Sequence, residues 1–440
     1  MSRLLLTGGR IIDPASGRDH AGDLLIEDGR VADVGPVGKV GAGDPTIDCT
    51  GRLVLPGFID LHVHLREPPF FDPSAAGAAE LPETIASGAA AAVAGGFTTV
   101  CAMPNTRPPI DSAEAVAWYI RRAAETNLAR VRPVGCMTRG RAGREVADLA
   151  GMLAAGAAGF SDDGSDVADP AVFERVMREA ARIGAPLFCH CEDAVLANGG
   201  VINDGPLATA LGLPGIPPES EEVAVQRACD LAAATGCRVH IAHVSTEGAV
   251  EVIRRAKAAG VHVTAEAAPH HLALVEEALV GRDTVYKVNP PLRSGHDVDG
   301  VVAGVRDGTI DCLATDHAPH TAAAKALRLA EAPAGMVGME SALAVYVHAL
   351  VEPGLLTWPQ LVARMTVNPA RVLAIEAGAL GVGMPADVTI VDPEARWMID
   401  HTRFFSKAAN CPFAGWKVRG RVVMTLVGGR VVYEMGKRPG

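Results

Sequence analysis

Short apolar runs recur through the middle of the chain, each closed by a polar residue or a glycine. Eight of them read as candidate strands: Phe58 to His64, Phe97 to Met103, Val131 to Cys136, Ala158 to Ser161, Pro186 to His190, Arg238 to Val244, Val261 to Ala267, and Thr309 to Thr315. Most are followed by alanine-rich stretches whose apolar positions recur with helical spacing, as in Asp111 to Thr126, Pro170 to Ile183, Glu221 to Thr235 and Thr246 to Ala259. Pro170 suits a first helical position, where its missing N–H costs nothing. The stretch Ile85 to Ala94, interrupted by Ser87 and Gly88 and stopped by Gly95-Gly96, reads as a helix packed on a sheet. Repeated strand–helix units predict an α/β fold, a (β/α)8 TIM-like barrel. An open doubly wound sheet would want a glycine-rich phosphate loop after its first strand; His62-Val63-His64 stands there instead.

The two ends have a different texture. Leu4-Leu5-Leu6, Asp23 to Ile26 and Arg30 to Val34 read as short strands, with Glu27-Asp28-Gly29 as a hairpin turn. Ala386 to Val391 and Arg421 to Val432 resemble them. The expectation is a small β-sandwich domain built from both ends, residues 1–55 and 380–440, around a barrel over 56–379.

Composition narrows the class. Hydrophobic residues make up 49% of the 440 and charged residues 21%, enough for a large core and against global disorder. A net charge of −11 with no basic run argues against a nucleic-acid surface. No uninterrupted apolar segment reaches the roughly 18 residues of a membrane span. The expected place is the cytoplasm. Nine irregularly spaced cysteines suit reduced core residues better than a disulfide framework. Cys189 and Cys191 flank His190, but strand alternation points both away from it, so they read as packing residues.

The polar residues gather where the candidate strands end. His62 and His64, two apart, share a face of the first strand, and Arg66 follows. Asn105 follows the second strand, Asp162 and Asp163 the fourth; His190 ends the fifth, His243 lies near the end of the sixth, and Asp316 follows the eighth. In a barrel these ends share one mouth, so residues far apart in sequence converge there. Four imidazoles and two carboxylates suit a borderline divalent metal, zinc above all. His270-His271, after the seventh strand, read as supporting residues.

At these residues the chain resembles the amidohydrolase superfamily and, within it, the dihydroorotases of the bacterial class I type. The resemblance is carried by Pro56 to Pro68, Gly95 to Val100 with Met103 to Thr106, Ser161-Asp162-Asp163-Gly164, His190-Cys191-Glu192 and Ala242 to Ser245. Ala314-Thr315-Asp316-His317-Ala318-Pro319-His320 and the tail Ser406 to Phe413 with Gly415-Trp416 complete it. It implies metal ligands at His62, His64, Asp163, His190, His243 and Asp316, with Asp163 bridging and no carbamylated lysine. It implies substrate contacts from His64, Arg66, Asn105, Asn289, His320 and the backbone of Ala334-Gly335, and a general acid–base role for Asp316. The implied activity is reversible, zinc-dependent ring closure of N-carbamoyl-L-aspartate to dihydroorotate, with one or two Zn2+ per chain. The implied partners are the small-molecule substrate, a second copy in a homodimer, and aspartate carbamoyltransferase in a complex. Rival readings are another cyclic amidase, such as a dihydropyrimidinase, hydantoinase or allantoinase, or a silent scaffold for the carbamoyltransferase. Two departures stand out: Pro69 where glycine usually follows Arg-Glu-Pro, opening an extra segment to Gly77, and Ala334 where phenylalanine is usual. Residues Pro319 to Gly338 read as a lid or as a solvated connection, with a helix possible over Ala322 to Ala330.

Overall fold

The computed structural model describes residues 3–36, 44–71 and 80–440. Most of the extra segment opened by Pro69 lies outside the described residues. Parallel pairings run round the middle of the chain. Phe58–Val63 pairs with Phe97–Ala102, and that strand with Arg130–Pro133. Gly135 then bridges Phe160, and Phe160 bridges Leu187. Leu187–Cys189 pairs with Val239–Ile241, which pairs with Val263–Ala267, which pairs with Cys312–Leu313. His317 bridges back to Val63, where the series began. Every residue of Phe58–Val63 and Phe97–Ala102 is buried.

The expected helices form, and their ends follow from local chemistry. Helix Pro170–Ile183 is capped by the Asp169 carboxylate, which accepts from the N–H groups of Ala171 and Val172. It stops at Gly184, left-handed at φ 72°. Helix Ile85–Ala94 opens on a Thr84–Ser87 capping box and ends at Gly95. A Cβ on Gly95 would sit 2.3 Å from the Met339 carbonyl oxygen, so the chain must be bare there.

Strands from both ends share one eight-stranded sheet among the described residues, rather than two separately bonded layers. Leu53–Pro56 joins the two ends, pairing with Arg3–Asp13 on one side and Val388–Met398 on the other. Leu6, Ile11, Leu24, Val54, Val388, Ile390 and Leu426 form that sheet's own core. Arg18–Glu27 and Arg30–Gly35 make the expected hairpin. All nine cysteines are buried and free, and Cys189 and Cys191 lie in the main core, as expected.

Two expectations are corrected. Ala158 to Ser161 is not a regular strand, being reduced to bridges at Phe160, yet its backbone pairs on both sides, with Pro133 and Gly135 on one and with Pro186 and Phe188 on the other. The helix expected over Ala322 to Ala330 stops at Lys325. The Lys325 carbonyl, which would have accepted from the Leu329 N–H, is taken by the Thr284 hydroxyl, and the Lys287 ammonium holds the carbonyls of Leu329 and Ala330, at 2.7 and 3.2 Å. Nor is this stretch a solvated connection: Leu329, Ala332, Met336 and Val337 are buried.

Candidate active site

Six side chains from separate strand ends meet in one buried cluster. His62 Nε2 lies 3.2 Å from Asp163 Oδ1 and 3.7 Å from Asp316 Oδ1. His64 Nε2 lies 3.2 Å from Asp316 Oδ1 and 3.6 Å from Asp163 Oδ2. His190 Nδ1 and His243 Nε2 are 3.0 Å apart, and each is 3.7 Å from Asp163 Oδ1. The cluster contains two groups with metal-ligand spacing: His62, His64 and Asp316; and His62, Asp163 and His243. His62 belongs to both.

Asp162 does something else. Its Oδ1 accepts from the N–H groups of Met137 and Thr138, at 2.9 and 3.1 Å, and its Oδ2 from the Thr138 hydroxyl. It ties its own turn to the preceding strand end, and only Asp163 faces the histidines.

The electrostatics agree with a cation site. Burial pulls the His62 ring down, but the Asp163 charge and the Glu266 hydrogen bond raise it well above its ordinary value. Burial would raise Asp163 and Asp316, but the His62 charge on the first and the His64 hydrogen bond on the second hold both below the usual carboxylate range. His62 Nε2, Asp163 Oδ1 and His270 Nε2 are buried without a hydrogen-bond partner. Leaving such atoms unpaired costs about 1–3 kcal/mol each, a cost that a shared cation removes. Arg66, His243 and Asp316 have left-handed backbones, at φ 56°, 31° and 47°. Such backbones are uncommon for non-glycine residues, and three of the ten among the described residues lie at this cluster.

The remaining candidates surround this cluster. Asn105 Oδ1 accepts from His64 Nδ1 at 2.9 Å, and its Nδ2 donates to Asp163 Oδ2 at 3.2 Å, so its amide already holds two of the cluster's members. Arg66 Nε donates to the Pro319 carbonyl, and burial pushes its guanidinium down to about 10. Asn289 Nδ2 donates to Glu192 Oε2 at 2.9 Å, and Asn289 shares a cleft with Ala334 and Lys287. His320 Nε2 donates to the Ala334 carbonyl at 2.7 Å; burial and then Arg66 push this ring down to about 3. The Gly335 N–H is given to the Lys287 carbonyl at 2.9 Å. A Cβ on Gly335, at φ 141°, would meet His320 Nε2 at 2.8 Å.

Comparison with known proteins decides the family. Residues 51–249 match a family model described as dihydro-orotase-like. A dihydroorotase from Pelotomaculum thermopropionicum is 48% identical over 98% of this chain and 99% of its own. One from Anaeromyxobacter sp. is 46% identical over 99% and 98%. The chain belongs to the dihydroorotase family. Among solved structures it is similar to the L-hydantoinase (dihydropyrimidinase) from Arthrobacter aurescens, with a TM-score of 0.86 and 27% identity over 100% of this chain and 98% of that one. A D-hydantoinase structure gives 0.84 and 26%, over 100% and 97%. No helix among the described residues is long and apolar enough to cross a membrane.

Within this dihydroorotase-family chain, several residues that sequence reasoning missed support the cluster. Asp60 accepts from the Thr315 N–H and hydroxyl and from the His62 N–H, joining the first and last strand ends. Glu266 holds His62 Nδ1 at 3.0 Å. The tail that carried part of the resemblance packs at the mouth: Asn410 Nδ2 donates to the carbonyls of Ala318 and Gly335, and its Oδ1 accepts from the His320 N–H. The available signal was a lone carboxylate in an otherwise apolar strand, as at Asp60 in Phe58–Val63 and Glu266 in Val263–Ala267.

Proposed function

We propose that this chain is a zinc-dependent dihydroorotase, closing N-carbamoyl-L-aspartate to (S)-dihydroorotate with loss of water and opening it again. This is the third step of pyrimidine (UMP) synthesis, and we place it in the cytoplasm. The observation that carries the reading is a pair of imidazole–carboxylate groups that share His62, with the Arg66 charge close to Asp163 and Asp316, in a member of this family. The series of parallel pairings that returns to Val63 supports a (β/α)8 barrel over 56–379. The shared sheet supports one small β domain made of 1–55 and 380–440.

One or two zinc ions would be held by His62, His64, Asp163, His190, His243 and Asp316, a donor set that suits this ion. Bound there, zinc supplies carbonyl polarisation and an acidified water. The chain's own residues supply orientation and proton transfer. Asp316 Oδ1 faces His64 Nε2, while its Oδ2 accepts the proton of the attacking water and passes it to the leaving ring nitrogen. Arg66 grips the substrate carboxylate, preferably as a bidentate pair. Asn105, Asn289, His320 and the backbone of Ala334-Gly335 line the rest of the pocket, and Ala334 leaves it wider than a phenylalanine would. Residues 319–338 form its cover. A homodimer and a complex with aspartate carbamoyltransferase are the assemblies the family reading suggests.

The hydantoinase neighbours favour a second reading, a cyclic amidase without the substrate carboxylate. One experiment separates the two. Purified protein is analysed for bound zinc and offered dihydroorotate, hydantoin and allantoin. Zinc with turnover of dihydroorotate alone is expected. Preference for hydantoin or allantoin overturns the reading, and a metal-free, inactive protein would leave the scaffold role.

A further inference from the structure

The His62 ring is held from behind by a chain of buried groups. His62 Nδ1 donates to Glu266 Oε1 at 3.0 Å, and Glu266 Oε2 accepts from His240 Nε2 at 3.0 Å. His240 Nδ1 lies 2.8 Å from Thr264 Oγ1. His62, His240 and Glu266 are all buried, between 0% and 1% exposed. Three strands contribute: His62 from Phe58–Val63, His240 from Val239–Ile241, and Thr264 with Glu266 from Val263–Ala267. Glu266 thus reaches a strand with which its own does not pair.

The chemistry of these partners selects one form of His62. A carboxylate only accepts, so the ring nitrogen facing it must carry the proton. Glu266 turns one oxygen to His62 Nδ1 and the other to His240 Nε2, the arrangement of a carboxylate that accepts twice. With Nδ1 committed to Glu266, Nε2 points at Asp163 Oδ1 and Asp316 Oδ1, at 3.2 and 3.7 Å, and a metal that displaces the proton from Nε2 would meet its lone pair. A lone pair facing two carboxylates is repulsive unless a cation lies between them. His64 is held in the same sense, but by the neutral amide of Asn105. The two histidines of His62-Val63-His64 are therefore unequal ligands: the one backed by a carboxylate is the stronger electron donor.

We propose that Glu266, anchored by His240, is a positioning residue that fixes the His62 tautomer and aims Nε2 at the metal centre. The inference rests on the metal site of the functional reading above. The alternative is that Glu266 only ties strands together.

The test uses the full-length protein and the metals alone. Zinc affinity by chelator competition and the visible spectrum of the cobalt(II) form are measured for wild type and Glu266→Gln. The unfolding temperature of the metal-free form is measured beside them. Gln can accept from one ring but must donate to the other, so the two imidazoles can no longer both hold their tautomers. Expected is zinc affinity lower by about 10–100-fold, the usual cost of losing a partner behind a metal-bound histidine, with an altered cobalt spectrum. Unchanged affinity and spectrum, whether or not the metal-free form is less stable, overturn the proposal. A wild type that binds neither metal defeats the functional reading itself. If Glu266→Gln does not fold, long-range nitrogen–proton spectra of the zinc-loaded, histidine-labelled wild type decide the matter. A protonated Nδ1 with Nε2 bound to metal supports the proposal, and ligation through Nδ1 overturns it.

Discussion

Asp162 and Asp163 are adjacent carboxylates with opposite tasks, and replacing each by alanine should show which one binds the metal. Asp162→Ala removes the acceptor for the N–H groups of Met137 and Thr138 and for the Thr138 hydroxyl, all in a buried turn. A buried donor left unpaired costs about 1–3 kcal/mol. The hydroxyl can rotate and water can enter the vacated space, so the sum should lie near the low end, about 3 kcal/mol, or a hundredfold or more in the unfolding equilibrium. Zinc binding should persist, because this side chain does not face the histidines. Asp163→Ala removes the carboxylate within 3.7 Å of four imidazoles and the acceptor for Asn105 Nδ2. Tight zinc should be lost, and because Asp163 is the buried counter-charge of His62 the metal-free form should be destabilised as well, so zinc content is the quantity that tells the two variants apart. Denaturant unfolding in the presence of a chelator gives the stability, and zinc per chain after dialysis gives the metal binding. The reasoning fails if Asp162→Ala loses zinc at wild-type stability, or if Asp163→Ala keeps a full complement.

Four further outcomes are expected. Asp316→Asn should retain zinc and lose at least about a hundredfold in kcat, as for a missing acid–base group; near-normal turnover rejects that role. Arg66→Ala should raise KM for dihydroorotate by about 10–100-fold, matching about 1.5–3 kcal/mol for a charge-assisted contact, and an unaltered saturation curve rejects it. Asn410→Ala releases the carbonyls of Ala318 and Gly335 and the N–H of His320, so KM should rise at unchanged zinc content; a wild-type KM counts against the tail shaping the mouth. Glu340 accepts from the N–H groups of Phe405 and Ser406, and burial pushes its carboxyl from an ordinary value of 4.5 up to about 8. Across that window the folded chain holds a proton that the unfolded chain has lost, so this residue's contribution to stability is fully present below 4.5 and disappears as pH rises through about 8. Glu340→Gln should flatten the decline, and an identical slope in denaturant titrations at several pH values would show that another group causes it.

Much of this was legible in the chain. Short apolar runs and 3.6-residue helical spacing are local, and they located most of the parallel strands and five helices of the middle, but not Leu149–Ala154, Gly295–Asp307, Trp358–Met365 or Val367–Leu373. Pro170, Gly184 and the Thr84–Ser87 pair set helix ends through contacts within a few residues. The ligand candidates could be read because a barrel brings strand ends together whatever the detail of the packing. Three matters depended on tertiary structure. Motif spacing alone favoured Asp163 over Asp162, and the approach of Met137 and Thr138 shows that Asp162 is spent on the turn. The length of the helix after Thr321 depended on Thr284, distant in sequence, whose hydroxyl takes the Lys325 carbonyl that would have continued it. Glu266 and Asp60 were single carboxylates in apolar strands until folding set His62, His240 and Thr315 against them. Sequence alone indicated most of the parallel strands, five of the helices and the candidate metal-binding residue types, because residue type and local spacing are properties of the chain itself. The tertiary structure decided which oxygen or nitrogen each group faces, because in a buried site that depends on partners brought from elsewhere in the chain.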